Sequence, residues 1–237
     1  MKSIWLVIFV ISLFSSCKKD ESPAISPNAD QTPSPSPAPL SPTPTPNAVV
    51  LYKESFLMDD HQWKVDSTSN YILKYYQSHY SLKSNKIKNL LFSTAPYGNI
   101  DFPYSVQVDG IIQVENLKKV GYLGVIFNLI DTNNYSSFEI GSDGSYFIWN
   151  FNKGKYTYLG YASYNQEVKT TSGAKNTLKV TQNASTIDFQ INTVYIKTIS
   201  LAMLKSAIQV GVSVDTDSAL FTPTTNLFNN FIISKNN

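Results

Sequence analysis

From Ala48 onward, apolar and polar residues alternate in short runs. Val106 and Val108 fall on one side of a run while Ser105, Gln107 and Asp109 fall on the other. Ile187, Phe189 and Ile191 oppose Asp188, Gln190 and Asn192, and Ile208, Val210, Val212 and Val214 oppose Gln209, Gly211 and Ser213. A period of two marks a strand with one buried face, because successive side chains leave opposite sides of the backbone. The densest stretch runs from Gly121 to Leu159. There, strands rich in aromatic and β-branched residues are joined by turn sequences at 131–134 (DTNN), 142–144 (SDG) and 152–154 (NKG), the pattern of an antiparallel meander.

Further strands are expected over 48–55, 71–76, 80–83, 90–93, 102–115, 178–180 and 227–234, with a turn at Asp59-Asp60 before Trp63 and a bulge at Gly110. Ser200–Lys205 reads as a single helical turn, and no long segment has helical spacing. Half-buried alternation suits antiparallel sheets packed face to face, whereas parallel strands show unbroken apolar runs. The expected fold is all-β, a two-sheet antiparallel β-sandwich.

Composition narrows the partners. Every basic residue is Lys, and 19 basic against 17 acidic residues leave a net charge of +2. Without Arg there is no bidentate fork for phosphate, and near-balance gives no broad positive field, so nucleic acid is not expected as a partner. Cys17 is the sole cysteine, and His61 and His79 are the only histidines. One cysteine allows no disulfide and no thiolate metal site within the chain, and the two histidines read as surface or half-buried residues rather than metal ligands.

Residues 1–17 read as an export signal: Lys2, an apolar run from Ile4 to Phe14, then Ser15-Ser16-Cys17. The small residues before a lone cysteine resemble the lipobox of bacterial lipoproteins, with Phe14 where that motif prefers Leu. The resemblance implies lipidation of Cys17 and an outer-membrane lipid partner. Lys18-Lys19-Asp20-Glu21 resembles the charged tag of Bacteroidetes-type surface lipoproteins. An ordinary secretory signal cut near the serines is the alternative. Residues 18–47 carry nine of the twelve prolines, and such a segment neither folds as a helix nor collapses. It is read as a polyproline tether with a reach on the order of 80 Å. Residues 48–237 form the folded domain.

The order of features over 48–237 resembles the concanavalin A-like jelly roll. The residues that carry this are Glu54-Ser55-Phe56, Trp63, GVIF at 124–127, YSSFEI at 135–140, GSDGSYFI at 141–148, KNTLKV at 175–180, IDFQIN at 187–192 and LFNNFIIS at 227–234. LamG-like modules and family 16 or 3-keto-disaccharide hydrolase-like domains are the most similar groups. Catalytic glucanases of that superfamily carry ExDxE or ExDxxE, so that alternate positions set carboxylates on one strand face. No such triplet occurs here, which argues against an enzyme. Asn128 stands where hydrolase-like relatives tend to have Arg. Many such jelly rolls hold a structural calcium between first and last strands; Glu54 fits half of that site, but Asn229 replaces the second carboxylate. No cofactor is expected, and no metal ligands are assigned.

Within the meander, Val125, Phe127 and Leu129, Phe138 and Ile140, and Tyr146 and Ile148 are expected in the core. Asn128, Tyr135, Glu139, Phe147 and Trp149 then share the opposite face, with Gln107 and Asp109 as further ligand candidates. Aromatic rings beside amides and carboxylates suit a sugar, whose C–H groups lie on rings while its hydroxyls exchange hydrogen bonds. Trp149, Phe147 and Phe151 have a packing reading too, with Tyr161 or Tyr164 lying over the rings, and Glu139 has a reading as a solvated strand carboxylate. Asp109 and Glu139 are the candidate carboxylate pair. The expected function is a lipid-anchored, surface-facing, non-catalytic module binding a polysaccharide or oligosaccharide. A glycoside hydrolase or lyase, requiring two carboxylates in one groove, and a structural or adhesive surface protein are the alternatives.

Overall fold

A computed structural model describes residues 48–57, 62–85, 90–115, 120–200, 208–216 and 223–236. The segments read as an export signal and a tether, the expected Asp59-Asp60 turn and residues 201–205 of the expected helical turn lie outside the described residues. Those described form fifteen strands and no helix.

The first five strands are β1 (Val49–Glu54), β2 (Asp66–Ser67), β3 (Tyr71–Tyr76), β4 (His79–Ser84) and β5 (Leu91–Thr94). Then come β6 (Tyr104–Val114), β7 (Gly121–Asp131), β8 (Asn134–Gly141), β9 (Tyr146–Asn152) and β10 (Lys155–Ala162). The last five are β11 (Lys175–Gln182), β12 (Thr186–Ile191), β13 (Val194–Ser200), β14 (Gln209–Thr216) and β15 (Thr224–Lys235). A nine-stranded sheet has the order β13-β12-β11-β6-β15-β4-β3-β2, with β1 alongside the C-terminal half of β15. A six-stranded sheet has the order β10-β9-β8-β7-β14-β5. Every pairing is antiparallel.

One core fills the space between the sheets. Val106, Val108, Leu178, Val180, Ile187 and Phe189 come from the larger sheet, and Leu123, Val125, Phe138, Ile148, Val212 and Val214 from the smaller. All but Leu123, Leu178 and Val180 are residues that alternation assigns inward. At one end Trp63 packs against Phe56, Tyr80 and Phe231, with ring centroids 5.0–5.5 Å away, and its indole N–H donates to the Tyr52 hydroxyl at 3.0 Å.

Gly110 is not a bulge: it stays in register with Phe228 on one side and Asn176 on the other. A Cβ there would lie 2.3 Å from Leu123 Cδ1, so the missing side chain lets the two sheets approach. Gly211 serves the same end within the smaller sheet, where a Cβ would meet the Ser93 carbonyl oxygen at 2.2 Å.

Candidate functional site

The outward face of the six-stranded sheet is not covered by another layer among the described residues, yet it is strongly aromatic. Phe147, Trp149 and Phe151 alternate outward on β9 because Tyr146 and Ile148 turn into the core. On the edge strand β10, Tyr156 lies opposite Phe151, Tyr158 opposite Trp149, and Tyr161 opposite Phe147. Tyr158 and Tyr161 share that face only because the register slips between Tyr158 and Gly160. The extra residue, Leu159, restores the parity that a three-residue spacing would otherwise break.

The rings form a nearly continuous ribbon. Tyr161 stacks on Phe147 at 6.4 Å and 12°, and Tyr122 meets Phe147 edge-on at 5.6 Å. Tyr156 sits 4.4 Å from both Trp149 and Phe151; Phe151 is 5.1 Å from Tyr135, and Tyr135 is 5.6 Å from Phe92. At the β5 end the face closes into a small second core of Ile126, Leu129 and Tyr135 under Leu90, Phe92 and Phe151. Burial, with help from the neighbouring Tyr156 hydroxyl, holds the Tyr135 phenol well above its ordinary value. At the β10 end the face stays open, with Tyr158 68% and Tyr161 69% exposed. Trp149 is half-buried, shielded by Tyr156 rather than by Tyr161 or Tyr164.

Glu139 lies in this face and is only 2% exposed, so it is not a solvated strand carboxylate. It pairs across the strands with Phe147 on one side and Gly124 on the other, and Gly124 faces Ser213. A Cβ on Gly124 would lie 2.5 Å from both Glu139 Cγ and Ser213 Oγ. The bare backbone at Gly124 therefore makes room for both side chains. The Ser137 hydroxyl donates to Glu139 Oε1 at 2.5 Å. Burial first, then the nearby Asp215 charge, pushes the Glu139 carboxyl up to about 8. Ser137 and, outside hydrogen-bond geometry, the Trp149 indole N–H pull the other way. Two buried polar atoms here have no hydrogen-bond partner among the described residues: Trp149 Nε1 and Ser213 Oγ.

Four of the expected site residues, Tyr135, Glu139, Phe147 and Trp149, are brought together here. Three are not. Asn128 adopts φ 52° at a register slip in β7, and its side chain turns into the interior, where Tyr104 donates to its Oδ1 at 3.3 Å. The same slip moves Leu129 from its expected place in the main core to the outer face. Gln107 and Asp109 point outward as expected, but from β6 in the other sheet, on the far side of the sandwich. Asp109 and Glu139 are therefore not a pair. Asp109 accepts instead from Lys175 Nζ at 2.7 Å, Thr177 Oγ1 at 2.6 Å and Asn230 Nδ2 at 2.9 Å.

Glu54 and Asn229, the two halves of the calcium site that the resemblance implies, are committed locally. Glu54 accepts from the Phe56 backbone N–H at 2.7 Å, and Asn229 donates to the Ser78 carbonyl at 3.3 Å. Among the described residues no three acids, histidines or cysteines converge.

Asp215, Ser213 and Tyr158 are residues of this face that sequence reasoning missed; Tyr161, expected to lie over its rings, stacks on Phe147. Ser213 and Asp215 continue the outward parity of β14, which was the available signal. A separate concavity of about 500 Å³ lies at one end of the sandwich, lined by Ser142, Lys169, Thr170, Thr171, Ser172 and Asn176 among others, and does not include the aromatic face.

No family model and no curated protein matches the sequence. Solved structures do match the fold. A carbohydrate binding module (CBM66) from Bacillus subtilis aligns over 80% of this chain and 98% of its own, at 12% identity and a TM-score of 0.51. The catalytic domain of an endo-1,3-beta-glucanase (laminarinase) from Thermotoga petrophila aligns over 81% and 99%, at 6% identity and a TM-score of 0.56. A Bacillus subtilis protein of unknown function with a galectin-like fold aligns over 79% and 96%, at 9% identity and a TM-score of 0.56. The fold is a jelly-roll sandwich. At such identities the likeness extends to architecture alone.

Proposed function

We propose that the protein is a glycan-binding module whose ligand lies across the outward face of the six-stranded sheet. The observation that carries this is the open aromatic ribbon. Tyr158 and Tyr161 stand more than two-thirds exposed beside Phe147 and Trp149, with buried polar groups among them. Rings of this kind at a protein surface take the C–H faces of sugars. Three of the solved structures similar in fold are named for carbohydrate binding or glucan cleavage or for a galectin-like fold, which is consistent with this reading. Retention on polysaccharide-containing affinity gels tests it. Wild type is expected to be retarded by at least one polysaccharide, and Tyr158→Ala with Tyr161→Ala to run as in the ligand-free gel. No retardation by any polysaccharide would count decisively against it.

The anchoring belongs to the same proposal. Cys17 is lipidated, residues 18–47 tether the domain, and the module faces outward from the outer membrane. Incorporation of labelled palmitate, lost in Cys17→Ala, tests the lipid; protease access on intact cells tests the orientation. A second reading, glycoside hydrolysis, is favoured by Glu139 and Asp215 sharing one face with the acid held protonated near neutrality. It requires new reducing ends on incubation with oligosaccharides and their loss in Glu139→Gln.

A further inference from the structure

β6 runs past the start of β11. The two strands pair as far as Ile111 and Lys175, and Ile112, Gln113 and Val114 continue with no strand on that side. The chain at 169–174 skirts the gap instead, and the concavity of about 500 Å³ lies between the two. The bare edge of β6 faces into it. The Asn192 N–H donates to the Thr177 carbonyl on the β12 side, so Asn176 directs its backbone at β6, and its partner Gly110 directs its own at β11. Alternation then aims the N–H and C=O of Ile112 and Val114 into the gap. Among the described residues no backbone hydrogen bond joins them to 169–174. The loop opposite is held by buried amides. Asn176, 1% exposed, donates to the Lys169 carbonyl at 3.0 Å and accepts from the Lys169 N–H at 2.9 Å. Asn192 donates to Asn176 Oδ1 at 2.9 Å and to the Glu167 carbonyl at 2.6 Å. What this scaffold displays is solvent-facing: the side chains of Lys169, Thr170, Thr171 and Ser172 are exposed and make no hydrogen bond or ion pair among the described residues. A loop fixed by its base while its side chains stay uncommitted is the usual setting of a binding site.

We infer that this concavity is a second glycan subsite, built for a sugar unit that bears an anionic group. The inference rests on the glycan reading above and adds to it the charge of the ligand. Strand-edge amides and carbonyls together with three free hydroxyls match the hydroxyls of a sugar. No aromatic side chain and no acid lines the concavity among the described residues, and its one charged group is Lys169. The acids nearest in sequence are engaged elsewhere: Glu115 with Lys83 at 2.8 Å, Asp143 with the Ser145 hydroxyl at 2.6 Å, and Glu167 with Gln166 at 3.4 Å. A neutral sugar meets the hydroxyls but leaves the ammonium to water, whereas a carboxylate or sulfate on the sugar gains a charge-assisted hydrogen bond from it. A lone lysine is a point charge without the guanidinium fork, so it serves either anion. Position ties this subsite to the aromatic face. A Cβ on Gly144, in the β8–β9 turn, would lie 2.8 Å from Tyr164 Cδ2 and 3.5 Å from Thr170 Cγ2. Tyr164 is 67% exposed and follows Tyr161 by three residues. The open tyrosines and the concavity therefore adjoin across one bare turn, and a chain lying on the rings can place its end unit against Lys169.

Two pairs of oligosaccharides provide the test, each pair sharing its backbone and linkage and differing in charge. One is a galacturonic acid oligomer and its methyl ester; the other is a sulfated galactose oligomer and its desulfated form. Each is titrated calorimetrically into the full chain at low salt. The charged member of at least one pair is expected to bind about fivefold more tightly than its neutral form, the scale of a solvent-facing ion pair. The pair that shows the preference names the anion. In Lys169→Met the ratio is expected to fall to near unity, and in Lys155→Met, at the far end of β10, to stay as in wild type. Backbone amide shifts of Ile112, Val114 and residues 170–172 are expected to move on adding the charged oligomer, a readout that requires no variant. Equal affinity within both pairs overturns the inference and leaves the glycan reading standing. So does a preference that survives Lys169→Met, or one that Lys155→Met removes as fully. Binding of none of the four overturns the inference, and retention of wild type in the polysaccharide gels then decides the glycan reading separately.

Discussion

The Ser137 hydroxyl and the Glu139 carboxyl lie two residues apart on the outward face of β8, joined by a 2.5 Å hydrogen bond. That bond is the carboxyl's main local support, and it does not offset burial. In the folded chain Glu139 keeps its proton up to about pH 8; unfolded, it releases it near its ordinary value of 4.5. Between those values the folded state holds more protons, so stability falls as pH rises through the window. Urea midpoints measured in steps across it are expected to decline by an amount on the order of 1–3 kcal/mol. In Glu139→Gln that decline is expected to flatten. An equal slope in the variant would assign the effect elsewhere.

Asp109, on the other sheet, titrates with the opposite sign. Burial alone would raise it, but hydrogen bonds from Asn230, Lys175 and Thr177 outweigh that and hold it below its ordinary 3.8. Its contribution is therefore present above 3.8 and lost as pH falls through the lower folded value. Asp109→Ala is expected to cost about 2–4 kcal/mol in chemical denaturation, since it strands the Asn230 and Thr177 donors. Lys175 is more than half exposed; Lys175→Met is expected to cost no more than about 1 kcal/mol.

Trp63 anchors the opening strands to β15. Its ring touches Phe56, Tyr80 and Phe231, and its N–H is satisfied by Tyr52. Trp63→Ala is expected to destabilise by about 3–5 kcal/mol, and Trp63→Phe by less, because the cavity is smaller. Tryptophan fluorescence during unfolding would overlap with Trp149, so circular dichroism is the appropriate probe.

The two glycines Gly211 and Gly154 are expected to differ sharply. At Gly211 an added Cβ meets backbone, the Ser93 carbonyl, and nothing short of strand movement relieves it. Gly211→Ala is expected to cost about 3 kcal/mol or more. At Gly154, in the β9–β10 turn, the added atom meets nothing within 4 Å, but φ is +78°. Gly154→Ala is expected to cost about 1 kcal/mol through conformation alone. Parallel thermal melts separate the two.

Function and stability are expected to separate on the aromatic face. Tyr158→Ala and Tyr161→Ala remove exposed rings, so stability is expected to stay within about 0.5 kcal/mol while polysaccharide retention drops. Trp149→Ala also uncovers Tyr156 and Phe151-side packing and is expected to lower both. Loss of retention that merely tracks loss of stability across all three variants would mean the rings are structural.

Side-chain parity carried most of what could be read in advance. It assigned Val106, Val108, Phe138, Ile148 and Val212 to the interior, and it set Glu139, Phe147 and Trp149 on the other face. Parity distinguishes inside from outside but not one sheet from the other. Gln107 and Asp109 were therefore grouped with a face they do not share. Parity also fails at any slip in register. Asn128 is expected outward by counting from Val125, but a left-handed residue resets the count and turns its amide to Tyr104. An Asn tolerates that conformation well, yet nothing nearby marks this one from an ordinary strand amide. The acidity of Glu139 was hidden for another reason: its burial depends on Gly124 and on rings from β9, all distant in sequence.

The irregularity at Leu159 has one further effect. A straight outermost strand offers its spare amides and carbonyls to any neighbouring chain, and β10 is the outermost strand of its sheet. The kink that brings Tyr161 alongside Tyr158 also interrupts that ladder of unpaired groups partway along. Deleting Leu159 would leave Tyr161 opposite Phe147 on the same face as Tyr158, but would straighten the border into a template for aggregation. The inserted residue thus protects the border of the sheet.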